Sequence, residues 1–124
     1  MHELAIAQNI VDIVKQNVTN NELSNVDSIK LKIGEMAGVV TDSLEFGFLA
    51  ITSGTELESA KLVIEKIPFV YKCNVCGKES TNEFGITVCP VCNGTDTMVI
   101  SGLEMQIVEV ELKEEALPPQ RGGN

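Results

Sequence analysis

Apolar residues recur at three-and-four spacing from Glu3 to Val18. Leu4, Ala7, Val11, Val14 and Val18 form a stripe that Ile6, Ile10 and Ile13 widen. Gln8, Asp12, Lys15 and Gln16 hold the opposite face, so the pattern predicts an amphipathic helix lying on a sheet, broken at Asn20 and Asn21. From Val26 to Ile33 the period drops to two. Ile29, Leu31 and Ile33 point one way and Ser28, Lys30 and Lys32 the other, which predicts a strand with one wet face. Gly34-Glu35-Met36-Ala37-Gly38 reads as a loop. Asp42, with Glu45 three residues later, predicts an acidic form of the capping box opening a second helix. Leu44, Phe48 and Ile51 mark that helix's buried side and Gly54 closes it. Leu62 to Ile67 predicts a second strand that stops at Pro68. Met105 to Leu112 predicts a third, whose apolar phase slips between Ile107 and Val108, the mark of a bulge or of a strand that changes its buried face.

Between the second and third strands lie all four cysteines, as Cys73-Asn74-Val75-Cys76-Gly77 and Cys89-Pro90-Val91-Cys92-Asn93-Gly94, with twelve residues between the pairs. Two thiolates two residues apart reach one ion, because the turn between them curls backbone N–H groups toward the sulfurs; two such turns close a tetrahedral shell. Gly77 and Gly94 sit where each turn is expected to relax, and Phe84 to Val88 reads as a short strand leading into the second knuckle. A redox pair of the thioredoxin type needs one Cys-x-x-Cys, not two matched ones, and disulfides do not persist in a reducing compartment. The spacing therefore predicts a zinc ribbon held by Cys73, Cys76, Cys89 and Cys92, with iron in an all-thiolate site as the alternative. A site filled by four cysteines has no open position, so this metal is expected to be structural and not catalytic.

The expected architecture is α+β. A small mixed three-stranded sheet with two helices, residues 1–68 plus 103–113, is interrupted by a zinc-ribbon domain at residues 69–102. Residues 114–124, with Pro118-Pro119 and Gly122-Gly123, form a tail expected to stay disordered. Two adjacent crossings are expected to tie the ribbon's orientation to the sheet, with room left to bend at the joints near Pro68 and Gly102.

Length and charge narrow the function. The chain has 124 residues and a formal charge of −9, to which a zinc on four thiolates adds negative charge, so nucleic acid is a poor partner. Lys72 and Lys78 are outnumbered in the ribbon by Glu79, Glu83 and Asp96. No apolar run is long enough for a membrane span and no leader pattern precedes the first helix, so a soluble cytoplasmic protein is expected. With a single histidine, no nucleophile paired with a base and no phosphate-cradling glycine loop, the sequence does not predict an enzyme.

That histidine is His2. The terminal amine of Met1, the His2 amide nitrogen and His2 Nδ1 can close a five-membered and a six-membered chelate ring on one ion. Three nitrogens in a plane suit square-planar Ni(II) or Cu(II), and Glu3 offers its backbone nitrogen or its carboxylate for a fourth position. The plain alternative is a histidine that is incidental at a solvated terminus. The chain would then be a zinc-ribbon protein-interaction adaptor without a labile metal.

Met1-His2-Glu3-Leu4 opening a helix, Ile33-Gly34-Glu35-Met36-Ala37-Gly38-Val39 after the first strand, Gly54-Thr55-Glu56-Leu57 before the second, and the paired knuckles together resemble the HypA/HybF nickel chaperones of NiFe hydrogenase maturation. The resemblance runs over about residues 1 to 112 and lies in the order of the motifs as much as in any one of them. It implies a nickel metallochaperone with zinc on Cys73, Cys76, Cys89 and Cys92. Nickel would be a transient cargo at the N-terminus, with His2 as main ligand, Glu3 beside it and the Met1 amine. The implied partners are the maturation GTPase HypB and the hydrogenase large-subunit precursor. The chain departs from some members in having no histidine beside the knuckles.

Overall fold

The computed structural model describes residues 3–113. Met1 and His2, and the tail expected to be disordered, lie outside the described residues. The elements run α1 (Glu3–Asn17), a 3-10 turn (Asn20–Asn25), β1 (Val26–Gly34), α2 (Thr41–Thr52), β2 (Lys61–Ile67), β3 (Val70–Cys73), β4 (Glu79–Ser80), β5 (Thr97–Ser101) and β6 (Met105–Leu112). They form two three-stranded sheets, ordered β2-β1-β6 and β4-β3-β5, the second built from the segment between β2 and β6.

The first sheet is mixed, as expected. β1 pairs parallel with β2, with Ile29 beside Leu62 and Leu31 beside Ile64, and antiparallel with β6, with Leu31 opposite Ile107 and Ile33 opposite Met105. The phase slip read from the sequence is a bulge: Lys30 faces Glu109 and the next residue, Leu31, faces Ile107, which leaves Val108 as the extra residue. Ile29, Leu31 and Ile33 are buried, and against them pack Ile6, Ala7, Ile10, Val11 and Val14 of α1 and Leu44 and Phe48 of α2. Burial of this apolar face is the main stabilising term. Leu23, on the 3-10 turn, and Leu57 and Ala60, in the loop before β2, complete the core. Leu4 and Ile13, counted in the apolar stripe of α1, fall at its margins and are exposed. Ser28, expected on the wet face, is buried and donates its hydroxyl to the Glu111 carboxylate at 3.1 Å.

Two local expectations are corrected. The capping box at Asp42 and Glu45 does not form, because α2 begins at Thr41 and places Asp42 inside its first turn. The N-cap is Val40, which has no side-chain acceptor of its own, and its N–H donates instead to the Glu3 carboxylate at 3.0 Å. Asp42 still supplies negative charge at the positive end of the helix. Nor is Phe84 to Val88 a strand. Gly85 adopts φ +74°, and the Asn82 side chain accepts the Phe84 N–H at 2.9 Å and the Ile86 N–H at 3.2 Å and donates to the Ile86 carbonyl at 2.6 Å. One side chain meets the hydrogen-bonding needs that a neighbouring strand would have met.

Candidate metal centre

The two knuckles repeat one hydrogen-bonding scheme. The Cys73 N–H donates to the Lys78 carbonyl and the Gly77 N–H returns to the Cys73 carbonyl, both at 2.9 Å. In the second, Cys89 N–H donates to Gly94 and Asn93 N–H returns to Cys89, again at 2.9 Å. The scheme needs a left-handed residue four positions after the first cysteine. Gly77 fills that position at φ +78° and Asn93 fills it at φ +58°. The residue that relaxes the second turn is thus Asn93, not Gly94. Gly94 lies close against the sulfurs, since a Cβ there would stand 3.2 Å from Cys92 Sγ, a tight contact.

These turns, held by β3 and β5, bring the four sulfurs within 4.8 Å of one another, with Cys73 to Cys92 at 3.6 Å and Cys76 to Cys89 at 3.5 Å. The four cysteines are free and no disulfide joins them, since bonded sulfurs lie about 2.05 Å apart. Four thiolates about 2.3 Å from a central zinc would be about 3.8 Å apart, so the cluster fits a tetrahedral ion. Each knuckle gives one buried cysteine, Cys73 or Cys89, and one exposed cysteine, Cys76 or Cys92.

Electrostatics divides the thiols in the same way. The backbone N–H groups of Cys76 and Val75 lower the Cys73 thiol, and those of Cys92 and, more weakly, Val91 help bring Cys89 down to about 6. Backbone N–H groups also act on the other two, Lys78 on Cys76 and Gly94 on Cys92. There the neighbouring sulfurs prevail: Cys89 helps raise Cys76, and Cys73 and Cys89 push Cys92 up to about 11. Without metal the buried sulfurs carry charge first, and the exposed ones keep protons shared with them. This donor set, with all four positions filled by sulfur, can hold a tetrahedral soft or borderline cation such as zinc. Among the described residues it is the one cluster of metal-ligating side chains.

Of the three residues expected at a nickel site, Met1 and His2 lie outside the described residues. Glu3 is placed as the first residue of α1, with its carboxylate on the N-terminus of α2. Reading the sequence missed Asn82, which shapes the ribbon loop, and Tyr71, whose hydroxyl donates to the Val88 carbonyl at 2.8 Å beside the second knuckle. Neither had a local signal beyond its residue type.

The sequence model described as hydrogenase/urease nickel incorporation, metallochaperone, HypA matches residues 1–112, the knuckles and the chain start included. The chain belongs to the HypA family. Hydrogenase maturation factor HypA of Trichodesmium erythraeum is 42% identical over 114 residues, covering 92% of this chain and 97% of its own length. That of Geobacter metallireducens is 38% identical, covering 91% and 100%. The solution structure of the Ni metallochaperone HypA from Helicobacter pylori superposes with a TM-score of 0.63 at 19% identity, covering 93% of this chain and 100% of that one, which speaks for the fold alone. HypA proteins are metallochaperones and maturation factors for hydrogenase or urease nickel incorporation, not enzymes. No helix among the described residues is long and apolar enough to cross a membrane.

Proposed function

We propose that this chain carries Ni(II) at its N-terminus and delivers it to the NiFe hydrogenase large-subunit precursor, receiving it from the GTPase HypB, while zinc stays in the ribbon. The observation that carries this reading is the HypA match over residues 1–112, which spans both candidate metal sites. Two domains divide the work in this account: residues 1–68 with 103–113 hold nickel, and residues 69–102 hold zinc on Cys73, Cys76, Cys89 and Cys92. Four thiolates leave no position for exchange, which suits an ion that is never passed on. A bound zinc would supply folding free energy on the order of 10 kcal/mol to the small ribbon. A chain end, by contrast, offers ligands that an acceptor protein can displace one at a time.

We assign nickel the Met1 amine, His2 and Glu3. Glu3 offers a further donor through its backbone nitrogen or through its carboxylate, which also accepts the Val40 N–H. Three or four nitrogens in a plane match the preference of Ni(II). The test is calorimetry with zinc-loaded protein bearing its native amine. His2→Ala abolishes nickel binding and leaves zinc content and melting temperature unchanged. Equal nickel affinity in the variant would remove the reading and leave the zinc-ribbon adaptor in its place.

A further inference from the structure

The two segments that join the sheets are fastened to one loop. On the outward crossing, just past Pro68, Glu35 Oε1 accepts the Phe69 N–H at 2.9 Å. On the return crossing the Met36 N–H donates to the Gly102 carbonyl at 2.8 Å. The same loop grips the first sheet, with the Gly34 N–H on the Glu104 carbonyl at 2.8 Å and the Glu35 N–H on the Ile67 carbonyl at 2.9 Å. Packing leaves little slack: a Cβ at Gly34 would lie 2.0 Å from the Gly102 carbonyl carbon, and one at Gly102 would lie 2.5 Å from Phe69 Cα.

Phe69 is the root of the ribbon. Its side chain is buried, its ring stands 5.6 Å from that of Tyr71, and its carbonyl accepts the Thr81 hydroxyl. Its N–H lies beyond the ladder between β1 and β2, which ends at the Gly34 and Ile67 pair, and the N–H is met by a side chain. Among the crossing contacts the Met36 bond is backbone to backbone, open to many sequences. The Glu35 bond requires an acceptor on a side chain of that reach.

We propose that Glu35 is a positioning residue whose carboxylate fixes the orientation of the four-cysteine ribbon against the helix-covered sheet. The freedom to bend that the sequence left at Pro68 and Gly102 is removed by this latch. The loop that carries the latch runs on to Val40, whose N–H is held by Glu3, so residues 34–40 are tied at one end to the ribbon root and at the other to the first turn of α1. A partner that touches both the ribbon and the start of α1 therefore meets them at one fixed geometry. This proposal stands on the fold and is tested without nickel, so it can fail while the nickel reading holds, and the reverse.

The test uses the zinc-loaded full chain as wild type, Glu35→Ala and Glu35→Gln, with 15N relaxation, amide exchange and zinc content as readouts. In the wild type, ribbon and sheet share one rotational correlation time. In Glu35→Ala the ribbon amides gain exchange broadening in 15N relaxation that the wild type lacks and Phe69 exchange rises roughly ten-fold, as expected for one lost hydrogen bond, while zinc stays bound and the Met36 bond still closes the joint most of the time. Glu35→Gln keeps an oxygen acceptor and restores wild-type behaviour. The proposal is overturned if Glu35→Ala leaves ribbon relaxation and exchange unchanged, if Glu35→Gln is as loose as Glu35→Ala, or if the wild-type ribbon already tumbles apart. Loss of zinc in Glu35→Ala would also overturn it, by assigning Glu35 to ribbon folding instead of orientation.

Discussion

Gly34→Ala puts a methyl group where the return crossing already sits. The added Cβ would lie 2.0 Å from the Gly102 carbonyl carbon, 2.1 Å from its oxygen and 2.5 Å from the Leu103 nitrogen. All three are backbone atoms, so no side chain can swing aside. To reach an ordinary contact the end of β1 and the Gly102 segment must part by more than about 1 Å. That breaks the Met36 bond to Gly102 and the Gly34 bond to Glu104, both 2.8 Å long. Two hydrogen bonds at about 1 kcal/mol each and an overpacking cost of about 1–3 kcal/mol give a loss of about 3–5 kcal/mol. Native domains have about 5–15 kcal/mol in all. Gly38→Ala is the control: Gly38 has φ +77° and a Cβ there would meet nothing within 4 Å, so its cost is the left-handed backbone alone, about 1 kcal/mol. Urea unfolding of both variants at one fixed saturating zinc concentration measures the difference. If Gly34→Ala costs no more than Gly38→Ala, the return crossing is not as tightly packed on β1 as these distances require.

Two further predictions concern the ribbon. Metal uptake replaces protons on the thiols whose pKa lies above the ambient pH, so near neutrality Cys92, pushed up to about 11, releases a proton and Cys89, at about 6, does not. Zinc affinity therefore rises with pH through neutrality, and it falls more steeply below about pH 6, where Cys89 must also be deprotonated. Chelator competition across that range, with proton release measured in buffers of different ionisation enthalpy, checks both slopes; a pH-independent affinity would contradict them. Tyr71→Phe removes the donor to the Val88 carbonyl and keeps the buried ring, so it costs about 1 kcal/mol in urea unfolding while zinc content is retained.

What could be read from the sequence was what local pattern dictates. The three strands of the first sheet and both helices follow from periodicity, and the slip between Ile107 and Val108 marked the place where the register of β1 and β6 shows the first of its two expected explanations, a bulge. Two Cys-x-x-Cys turns were enough to expect four convergent sulfurs. What escaped had its cause far along the chain or in one side chain's choice of partner. The acceptor at the start of α2 is Glu3, thirty-seven residues before Val40, so the nearby Asp42 and Glu45 pointed to a box that the helix start does not use. Phe84, Ile86 and Val88 alternate with Gly85 and Thr87 like a strand, yet Asn82 closes that segment on itself. The two crossings near Pro68 and Gly102 were expected to tie the ribbon to the sheet, but nothing local named the contacts that do so. Their restraint comes from Glu35 and Met36, more than thirty positions away from Phe69 and Gly102.

The proposed function rests on two metals held by two different chemistries, sulfur in the ribbon and nitrogen at the chain start. X-ray absorption at both metal edges, on untagged protein loaded with zinc and then nickel, reads the two ligand shells separately. Four sulfurs are expected around zinc, and around nickel a shell of nitrogen and oxygen that includes the His2 imidazole and no sulfur. Sulfur in the nickel shell, or a nickel shell without imidazole, would overturn this division.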